Sequence, residues 1–248
     1  MKYYISEAYY KMRSIFVRPK LELREIAKSL NTQGYHVIPG FIGNKECENL
    51  RSVYDTLSED KSTKVWSDEQ GADKRIYGID NIASEFKALY EKPFLRDLIK
   101  YYISANAATM VLCNKITAVD KNLGSGGGWH RDSINRRQLK FIVYLTNSDA
   151  ETGCFEYCLG SQHISKKRTF NKLLKKNASE YRYSDRDIEK LKEKNIQFKN
   201  LEGKAGDLII VDASGIHRGR PIEKNERYAC TNYIWDKRIP EHVAKFCN

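Results

Sequence analysis

The stretch Gly206-Asp-Leu-Ile-Ile-Val-Asp-Ala-Ser-Gly215 decides the fold that the sequence predicts. It contains a turn, a short apolar run and a second turn, and Ile216 and His217 follow it directly. A short apolar run between glycine-containing turns is typical of a strand that is buried on both faces. We therefore expect a core strand over Asp207–Asp212, and we expect His217 to lie at the rim of its sheet.

Other parts of the chain resemble this strand or contrast with it. Four short segments are rich in β-branched or aromatic residues and are bounded by turn-forming residues: Met110–Val119, Gln138–Thr146, Gly153–Leu159 and Tyr228–Trp235. Upstream of these segments we expect one short strand and several helices: a strand over Tyr35–Phe41, and helices over Leu21–Leu30, from a capping Asn44 to about Leu57, and over Pro93–Ser104. Helices followed by many short strands predict a mainly β fold with flanking helices, in which the strands form an antiparallel jelly-roll sandwich.

The sequence has no repeat, low-complexity tract or Pro/Gly-rich linker, so we predict a single domain over residues 1–248. We expect its first part, about 1–108, to be mainly helical and about 109–236 to form the jelly-roll core. The segment 166–200 interrupts the strands. Because Ser184-Asp-Arg-Asp187 looks like a capping box that opens a helix, we predict that this segment is a helical insertion.

The net charge of +11 is concentrated in two segments. Residues 166–200 contain 12 Lys/Arg against 5 Asp/Glu, and residues 1–20 contain 5 against 1, so the remainder is balanced. The simplest interpretation of the insertion is a solvated basic surface, and the alternative is attraction of an anionic substrate. The aromatic residues within the insertion belong to no recognisable nucleic-acid module, so we do not expect a nucleic acid as partner.

Hydropathy and cysteine content indicate a cytoplasmic protein. No apolar run approaches the ~20 residues that span a bilayer, and the first residues contain no apolar core of a signal peptide. Cys154 and Cys158 form a C-x3-C pair, but no second Cys/His pair stands at zinc-finger spacing. We therefore expect reduced, structural thiols.

Candidate metal ligands lie in two places. In His130-Arg131-Asp132, side chains at i and i+2 of an extended segment point to the same face, so both can reach one cation. His217, at the rim of the predicted core strand, supplies a third ligand. Two histidines and one carboxylate that leave open positions form the facial triad of Fe(II) oxygenases. His130, Asp132 and His217 are therefore the predicted metal ligands and catalytic centre.

An oxygenase of this type that uses 2-oxoglutarate also needs a fixed cation for the distal carboxylate of this co-substrate, and arginine suits a carboxylate by its bidentate geometry. Arg227 follows a turn-like segment after His217, so we predict that it starts a return strand antiparallel to the one bearing His217 and points into the same cavity. Arg218 adjoins the ligand and should face away. Arg220 is the second choice for the anchor.

Several segments, in this order, resemble the phytanoyl-CoA dioxygenase family over roughly residues 30–235: Gly34–Phe41, Trp129–Asp132, Gly160–His163, Ala205–Asp207, His217–Gly219 and Arg227. The resemblance implies a double-stranded β-helix core (the jelly-roll, cupin-like fold) and the use of Fe(II), 2-oxoglutarate and O2. By resemblance, the metal role again belongs to His130, Asp132 and His217, and the co-substrate role to Arg227.

The sequence departs from the family's pattern at one loop. Leu159-Gly-Ser-Gln-His163 is one residue longer than the usual segment. Halogenating relatives replace the carboxylate ligand with a small residue, whereas Asp132 is present here, which favours hydroxylation or desaturation. The expected function is therefore hydroxylation of a small metabolite, with release of succinate and CO2. The alternatives are a cupin-like epimerase or hydrolase using another metal, and a non-catalytic binding protein on the same fold.

Two further features could serve the site. Asn114, on the predicted strand that precedes His130, is a candidate for binding the co-substrate or the substrate, and an ordinary polar residue at a strand edge is the alternative. Gly124-Ser-Gly-Gly-Gly128 looks like a phosphate cradle, but the Lys-Ser/Thr pair and helix that a P-loop requires do not follow it. We expect this glycine-rich loop to form a flexible rim beside the metal.

Overall fold

The computed structural model describes residues 19–248. Within them the α-helices are α1 (Arg24–Thr32), α2 (Asn44–Glu59), α3 (Ser84–Leu89), α4 (Pro93–Tyr102), α5 (Ile164–Leu174), α6 (Asp185–Glu193) and α7 (Glu241–Ala244), with 3-10 turns at Leu21–Leu23 and Ile79–Asn81. The strands are β1 (Tyr35–Ile38), β2 (Trp66–Ser67), β3 (Asp73–Tyr77), β4 (Ala108–Thr117), β5 (Leu139–Tyr144), β6 (Phe155–Cys158), β7 (Phe198–Leu201), β8 (Leu208–Asp212), β9 (His217–Gly219) and β10 (Glu226–Trp235).

The described strands form two antiparallel sheets. The large sheet has the strand order β1-β8-β5-β10-β4-β3-β2, and the small sheet has the order β7-β6-β9. Apolar side chains of the two sheets pack together between them, among them Tyr144 and Ile142 of β5 and Phe155 and Tyr157 of β6. The fold is thus mainly β with flanking helices and a jelly-roll core, which confirms the prediction from the sequence.

The sequence of β8 is apolar from Leu208 to Val211 because both faces of this strand are covered. Leu208 and Ile210 face the helices and join the main core, whereas Ile209 and Val211 face the small sheet. A strand that is covered on both faces favours apolar residues, and the polar residue of β8, Asp212, lies at its end and accepts a hydrogen bond from the Tyr102 hydroxyl. The prediction of a buried core strand is confirmed, and the other four strands predicted in the core are present with ends shifted by at most two residues.

The helices cover the outer face of the large sheet. Helix α2 buries Cys47, Leu50 and Tyr54 against that face. Asn44 is the first residue of α2 and not its cap, because Gly43 takes the extended N-cap conformation and Asn44 makes no capping hydrogen bond. The predicted helix is present, and the predicted cap is wrong by one residue.

The part of the chain predicted to be mainly helical also contributes three strands. Strand β1 pairs with β8 at one edge of the large sheet, as the prediction over Tyr35–Phe41 implied. At the other edge β3 pairs with β4, and β2 pairs with β3. The sequence Asp73-Lys-Arg-Ile-Tyr77 carries three charges in five residues, so it shows none of the apolar enrichment by which strands are predicted.

The basic insertion has a small core of its own. Phe170 and Leu174 of α5 and Ile188 and Leu191 of α6 are buried with Trp129 in one cluster. The predicted capping box is present, because the Ser184 hydroxyl accepts from the Asp187 amide while the Asp187 carboxylate accepts from the Ser184 amide. The insertion is therefore a packed pair of helices with a basic outer surface.

Two further expectations concern chemistry outside the core. All six cysteines are free, including Cys154 and Cys158 of the C-x3-C pair. In residues 19–248, no helix combines the length and the apolar character that crossing a bilayer requires.

Candidate metal centre and cavity

The backbone brings the two histidines of the predicted triad together. His130 and His217 face each other as an antiparallel bridge, in which each backbone amide donates to the other residue's carbonyl at 2.9 Å. The next alternate residue of the first segment, Asp132, donates its amide to Ala213 at 3.0 Å. Residues 130–132 therefore run extended beside the start of β9, which places side chains i and i+2 on one face as predicted.

The side chains converge as the backbone implies. Asp132 Oδ1 lies 3.1 Å from His130 Nε2 and 3.4 Å from His217 Nε2. One donor atom from each of the three residues lies within 4.8 Å of the other two. Two imidazoles and one carboxylate in such an arrangement suit a divalent first-row metal such as iron, with coordination positions left for other ligands.

Both imidazole rings are held in the orientation that a metal requires. His130 Nδ1 bonds the Gly128 carbonyl at 2.8 Å, and His217 Nδ1 bonds the Gly215 carbonyl at 3.0 Å. A carbonyl only accepts, so each Nδ1 carries the proton and each Nε2 keeps a free lone pair toward the site. Phe155 stacks on the His217 ring at 5.1 Å between centroids and fixes it further.

The electrostatics favour the protonation states that bind metal. Burial, together with the neighbouring His130 and Lys140, lowers the pKa of His217 to about 4. Burial alone would raise the pKa of Asp132, but Lys140 and the two imidazoles outweigh it and hold this pKa well below its usual range. A neutral imidazole and an ionised carboxylate are the forms that act as ligands, so the donor set fits a metal ion.

Lys140, the cation nearest the triad, was not predicted from the sequence. Its Nζ lies 2.5 Å from Asp132 Oδ2 and 3.5 Å from His217 Nε2, and it sits over the ring of Tyr233 at 4.6 Å. Lys140 is 5% exposed. A lysine within an otherwise apolar strand, Leu139-Lys-Phe-Ile-Val-Tyr144, was the available signal, because an interior lysine needs a charged partner.

The triad opens into a cavity of about 1300 Å³ between the two sheets. The alternate residues of β10 line it along its length: Arg227, Ala229, Thr231, Tyr233 and Trp235. Tyr233 pairs in register with Lys140 and so marks the metal end of the strand, whereas Arg227 lies near its other end. A cavity of this size, apolar in part and with a few convergent polar groups, suits a small molecule.

Arg227 lines the same cavity as the triad. It is 3% exposed, donates through Nη1 to the Gly153 carbonyl, and keeps Nε buried without a hydrogen-bond partner. The predicted pairing of its strand is wrong, because β10 pairs with β4 and β5 while β9 pairs with β6. Arg227 and His217 lie on different sheets and reach the cavity from opposite sides.

The two nearer arginines lie outside the cavity lining. Arg220 donates to the Ala150 carbonyl at 3.1 Å, and Arg218 forms an ion pair with Glu156 at 2.9 Å. Arg218 faces away from the ligands as predicted. Arg220, the second choice for the co-substrate anchor, is bound to the protein surface and does not face the metal end.

Asn114 belongs to a buried polar network beside Arg227. Its Nδ2 donates to Asp73 Oδ1 at 3.0 Å, and Arg75 donates through Nε to Asp73 Oδ2 at 3.0 Å. Burial raises the pKa of Asp73, but Arg75, Asn114 and Arg227 together bring it below its usual value. Asn114 lines the cavity, and contact with a bound molecule stays a prediction. The roles of Asp73 and Arg75 were not foreseen, because they lie on the unpredicted strand β3.

The glycine-rich loop forms one rim of the cavity, as expected. Gly126 has φ +88°, and a Cβ built there would lie 2.4 Å from His130 Cε1. Only glycine therefore allows this loop to pass so close to the imidazole. Of the insertion, Tyr181 and Arg182 line the cavity, and Arg182 donates to the Gly127 carbonyl at 2.8 Å. The loop is thus tied to the insertion.

The comparisons with known proteins agree with this geometry. The sequence model of the family described as Phytanoyl-CoA dioxygenase matches residues 30–226, well over half of the chain. The chain belongs to the phytanoyl-CoA dioxygenase family. A search among curated proteins gives no match for this family member.

Several solved structures share the fold. The alpha ketoglutarate dependent epimerase SnoN from nogalamycin biosynthesis has a TM-score of 0.67 at 16% identity, covering 91% of this chain and 88% of its own. The carbocyclase SnoK has 0.66 at 15%, covering 90% of each chain. HygX from Streptomyces hygroscopicus, crystallised with nickel and 2-oxoglutarate, has 0.58 at 15%, covering 85% and 86%. At these identities the likeness shows the jelly-roll fold of this family member.

Proposed function

We propose that this chain is an Fe(II)- and 2-oxoglutarate-dependent dioxygenase that hydroxylates a small anionic metabolite and releases succinate and CO2. The observation that carries the proposal is one cavity with a metal-binding donor set and, on the facing sheet, a buried arginine with an unpartnered donor. Family membership supports the same reaction class.

His130, Asp132 and His217 would hold the iron. Bound with 2-oxoglutarate, Fe(II) supplies the activation of O2, which no amino-acid side chain provides. The protein's own contribution is geometric. The carbonyls of Gly128 and Gly215 fix both imidazoles, and the Phe155 ring covers His217 and keeps water from it.

Arg227 would bind the distal carboxylate of 2-oxoglutarate. Its free Nε is a buried donor without an acceptor, and such a donor costs about 1–3 kcal/mol unless a partner arrives. A carboxylate meets this need with a charge-assisted hydrogen bond. The neighbouring Asp73 is already neutralised by Arg75, so Arg227 retains positive charge for a ligand.

The charge of the cavity supports an anionic substrate. Six arginine and lysine residues line it against four aspartate and glutamate residues, but the Arg131 side chain turns away and donates to the Ser161 and Ser214 carbonyls. The side chains that line the cavity therefore have an excess of one positive charge. The charges of Fe(II) and of 2-oxoglutarate cancel, so the excess persists when both are bound. Attraction of an anion by such a cavity needs no contribution from the helices of the basic insertion.

The outcome of the reaction is the finer part of the proposal. The structurally similar proteins include an epimerase and a carbocyclase, so the fold supports more than one outcome. Asp132 fills the carboxylate position of the triad, which favours hydroxylation or desaturation over halogenation, and hydroxylation is the outcome that we propose. Neither the epimerase nor the hydrolase alternative has a feature of the cavity that favours it.

The test is succinate formation by protein loaded anaerobically with Fe(II), then exposed to O2, 2-oxoglutarate and a panel of carboxylated and phosphorylated metabolites. The proposal predicts succinate in all active reactions, with one metabolite stimulating it and gaining one oxygen atom by mass spectrometry. Matched neutral analogues should stimulate less. Absence of succinate under all conditions, with iron bound, would contradict the assigned reaction class.

A further inference from the structure

Lys140 occupies a fixed place beside the triad. It lies on β5, whose backbone is hydrogen-bonded to β8 on one side and to β10 on the other. Its ammonium group is buried and lies against the Tyr233 ring. In residues 19–248, Asp132 is the carboxylate with which Lys140 forms an ion pair. Such a side chain has little freedom to leave its partner, because a buried unpaired ammonium is costly.

The two oxygens of Asp132 are divided between different neighbours. Oδ1 lies toward both imidazole Nε2 atoms, at 3.1 and 3.4 Å, and Oδ2 lies 2.5 Å from Lys140 Nζ. A metal between the histidines would therefore meet Oδ1, while the ammonium holds Oδ2. A carboxylate without such a partner is able to bind a metal through both oxygens, and its second oxygen then fills another coordination position.

We propose that Lys140 is a positioning residue that restricts Asp132 to a single metal-binding oxygen and thereby keeps a coordination position free for 2-oxoglutarate. This inference rests on the proposed function. It also implies a second effect of opposite sign. The ammonium repels a divalent cation, so Lys140 weakens metal binding while it strengthens co-substrate binding.

The opposite effects of Lys140 on metal affinity and on 2-oxoglutarate affinity distinguish a positioning role from a structural one. If Lys140 only kept the site ordered, its replacement would weaken the binding of both metal and 2-oxoglutarate. Release of Asp132 would strengthen metal binding, because Asp132 then binds through both oxygens and the repulsion is gone. It would weaken 2-oxoglutarate binding, because a coordination position is lost.

The experiment uses Co(II) alone as the probe, followed by 2-oxoglutarate, on wild type, Lys140→Met and Lys140→Gln. Methionine removes both the charge and the donor, whereas glutamine keeps a donor for Oδ2. We expect Lys140→Met to bind Co(II) about threefold more tightly, because the repulsion of the ammonium is removed, and 2-oxoglutarate about tenfold more weakly. Its Co(II) visible absorption, recorded without 2-oxoglutarate, should differ from that of the wild type, because the second Asp132 oxygen replaces a water among the metal ligands. Lys140→Gln should keep the wild-type spectrum.

Lys115→Met is the control, since Lys115 is a lysine of β4, a strand of the same sheet separated from β5 by β10, and it forms ion pairs with Glu226 at 2.9 Å and Asp55 at 3.8 Å. It should leave all three measurements unchanged. A wild-type Co(II) spectrum and affinity in Lys140→Met would overturn the inference, even with weaker 2-oxoglutarate binding, because Lys140 would then contact the co-substrate directly. If wild type and His217→Ala bind Co(II) equally, the proposed function itself fails, and the inference with it.

Discussion

At one end of the cavity, His130 and His217 exchange backbone hydrogen bonds, and each ring is fixed by a carbonyl two residues before it. At the other end, Arg227 lies beside side chains of β3 and β4 and donates to a backbone carbonyl of the turn before β6. The metal end is thus set by local backbone geometry, whereas the arginine end is set by tertiary packing. A substitution at the metal end should therefore abolish metal binding, whereas a substitution at the arginine end should lower the affinity for 2-oxoglutarate by degrees.

The largest expected effect is at the metal end. His217→Ala removes one of three ligands whose positions the backbone dictates, so no neighbouring side chain can replace it. We expect Fe(II) affinity to fall by more than about a hundredfold, beyond the loss typical of an outer-shell change. Anaerobic metal titration measures this. His242→Ala is the control, because His242 lines the rim of the same cavity outside the triad. Stoichiometric iron binding by His217→Ala would contradict the assignment of His217 as a metal ligand.

The next effect concerns the arginine end. Arg227→Ala should raise the dissociation constant of 2-oxoglutarate by at least about tenfold, which corresponds to about 1.4 kcal/mol. Iron affinity should stay unchanged, because Arg227 is not a ligand. Arg227→Lys should recover part of the loss, since an ammonium does not form two parallel bonds to a carboxylate. Arg220→Ala is the matched control. A loss of 2-oxoglutarate affinity in Arg220→Ala but not in Arg227→Ala would show that Arg220 is the anchor.

The smallest effect is expected at the rim. Gly126→Ala and Gly128→Ala both place a side chain at positive φ, +88° and +86°, so both carry similar backbone strain. A Cβ at Gly126 meets His130, whereas a Cβ at Gly128 meets nothing within 4 Å. We expect metal affinity to fall about threefold in Gly126→Ala only, and thermal denaturation to show similar stability for the two. Equal metal affinities in the two variants would show that the close approach of Gly126 to His130 does not position the ring.

The metal end could be predicted from the sequence, because its information is local. An i, i+2 pair in an extended segment and a histidine after a buried apolar strand are both visible as patterns. The pairing of His130 with His217 was not visible, since a register between distant segments depends on the whole sandwich. The core strands were predictable for the same local reason, as the apolar run of β8 illustrates.

The arginine end was only partly predictable. Arg227 was found from its distance after His217, although its strand lies in the other sheet. Asp73 and Arg75 were missed because β3 is rich in charge and its polar residues face the cavity. At the metal end, Lys140 was missed in a similar way, because a single lysine within an apolar strand has no repeating pattern. Residues that serve a site thus break the patterns by which strands are recognised.

One 2-oxoglutarate molecule should bind the metal at one end of the cavity and Arg227 at the other. A calorimetric titration of 2-oxoglutarate with and without Co(II) tests this most directly. Linkage requires that metal and co-substrate strengthen each other's binding by the same factor. In the wild type, we expect Co(II) to raise the affinity for 2-oxoglutarate at least about tenfold. This gain should be lost in His217→Ala. In Arg227→Ala the gain should remain, although the affinity for 2-oxoglutarate is lower both with and without Co(II). Equal 2-oxoglutarate affinity with and without metal in the wild type would contradict this binding mode.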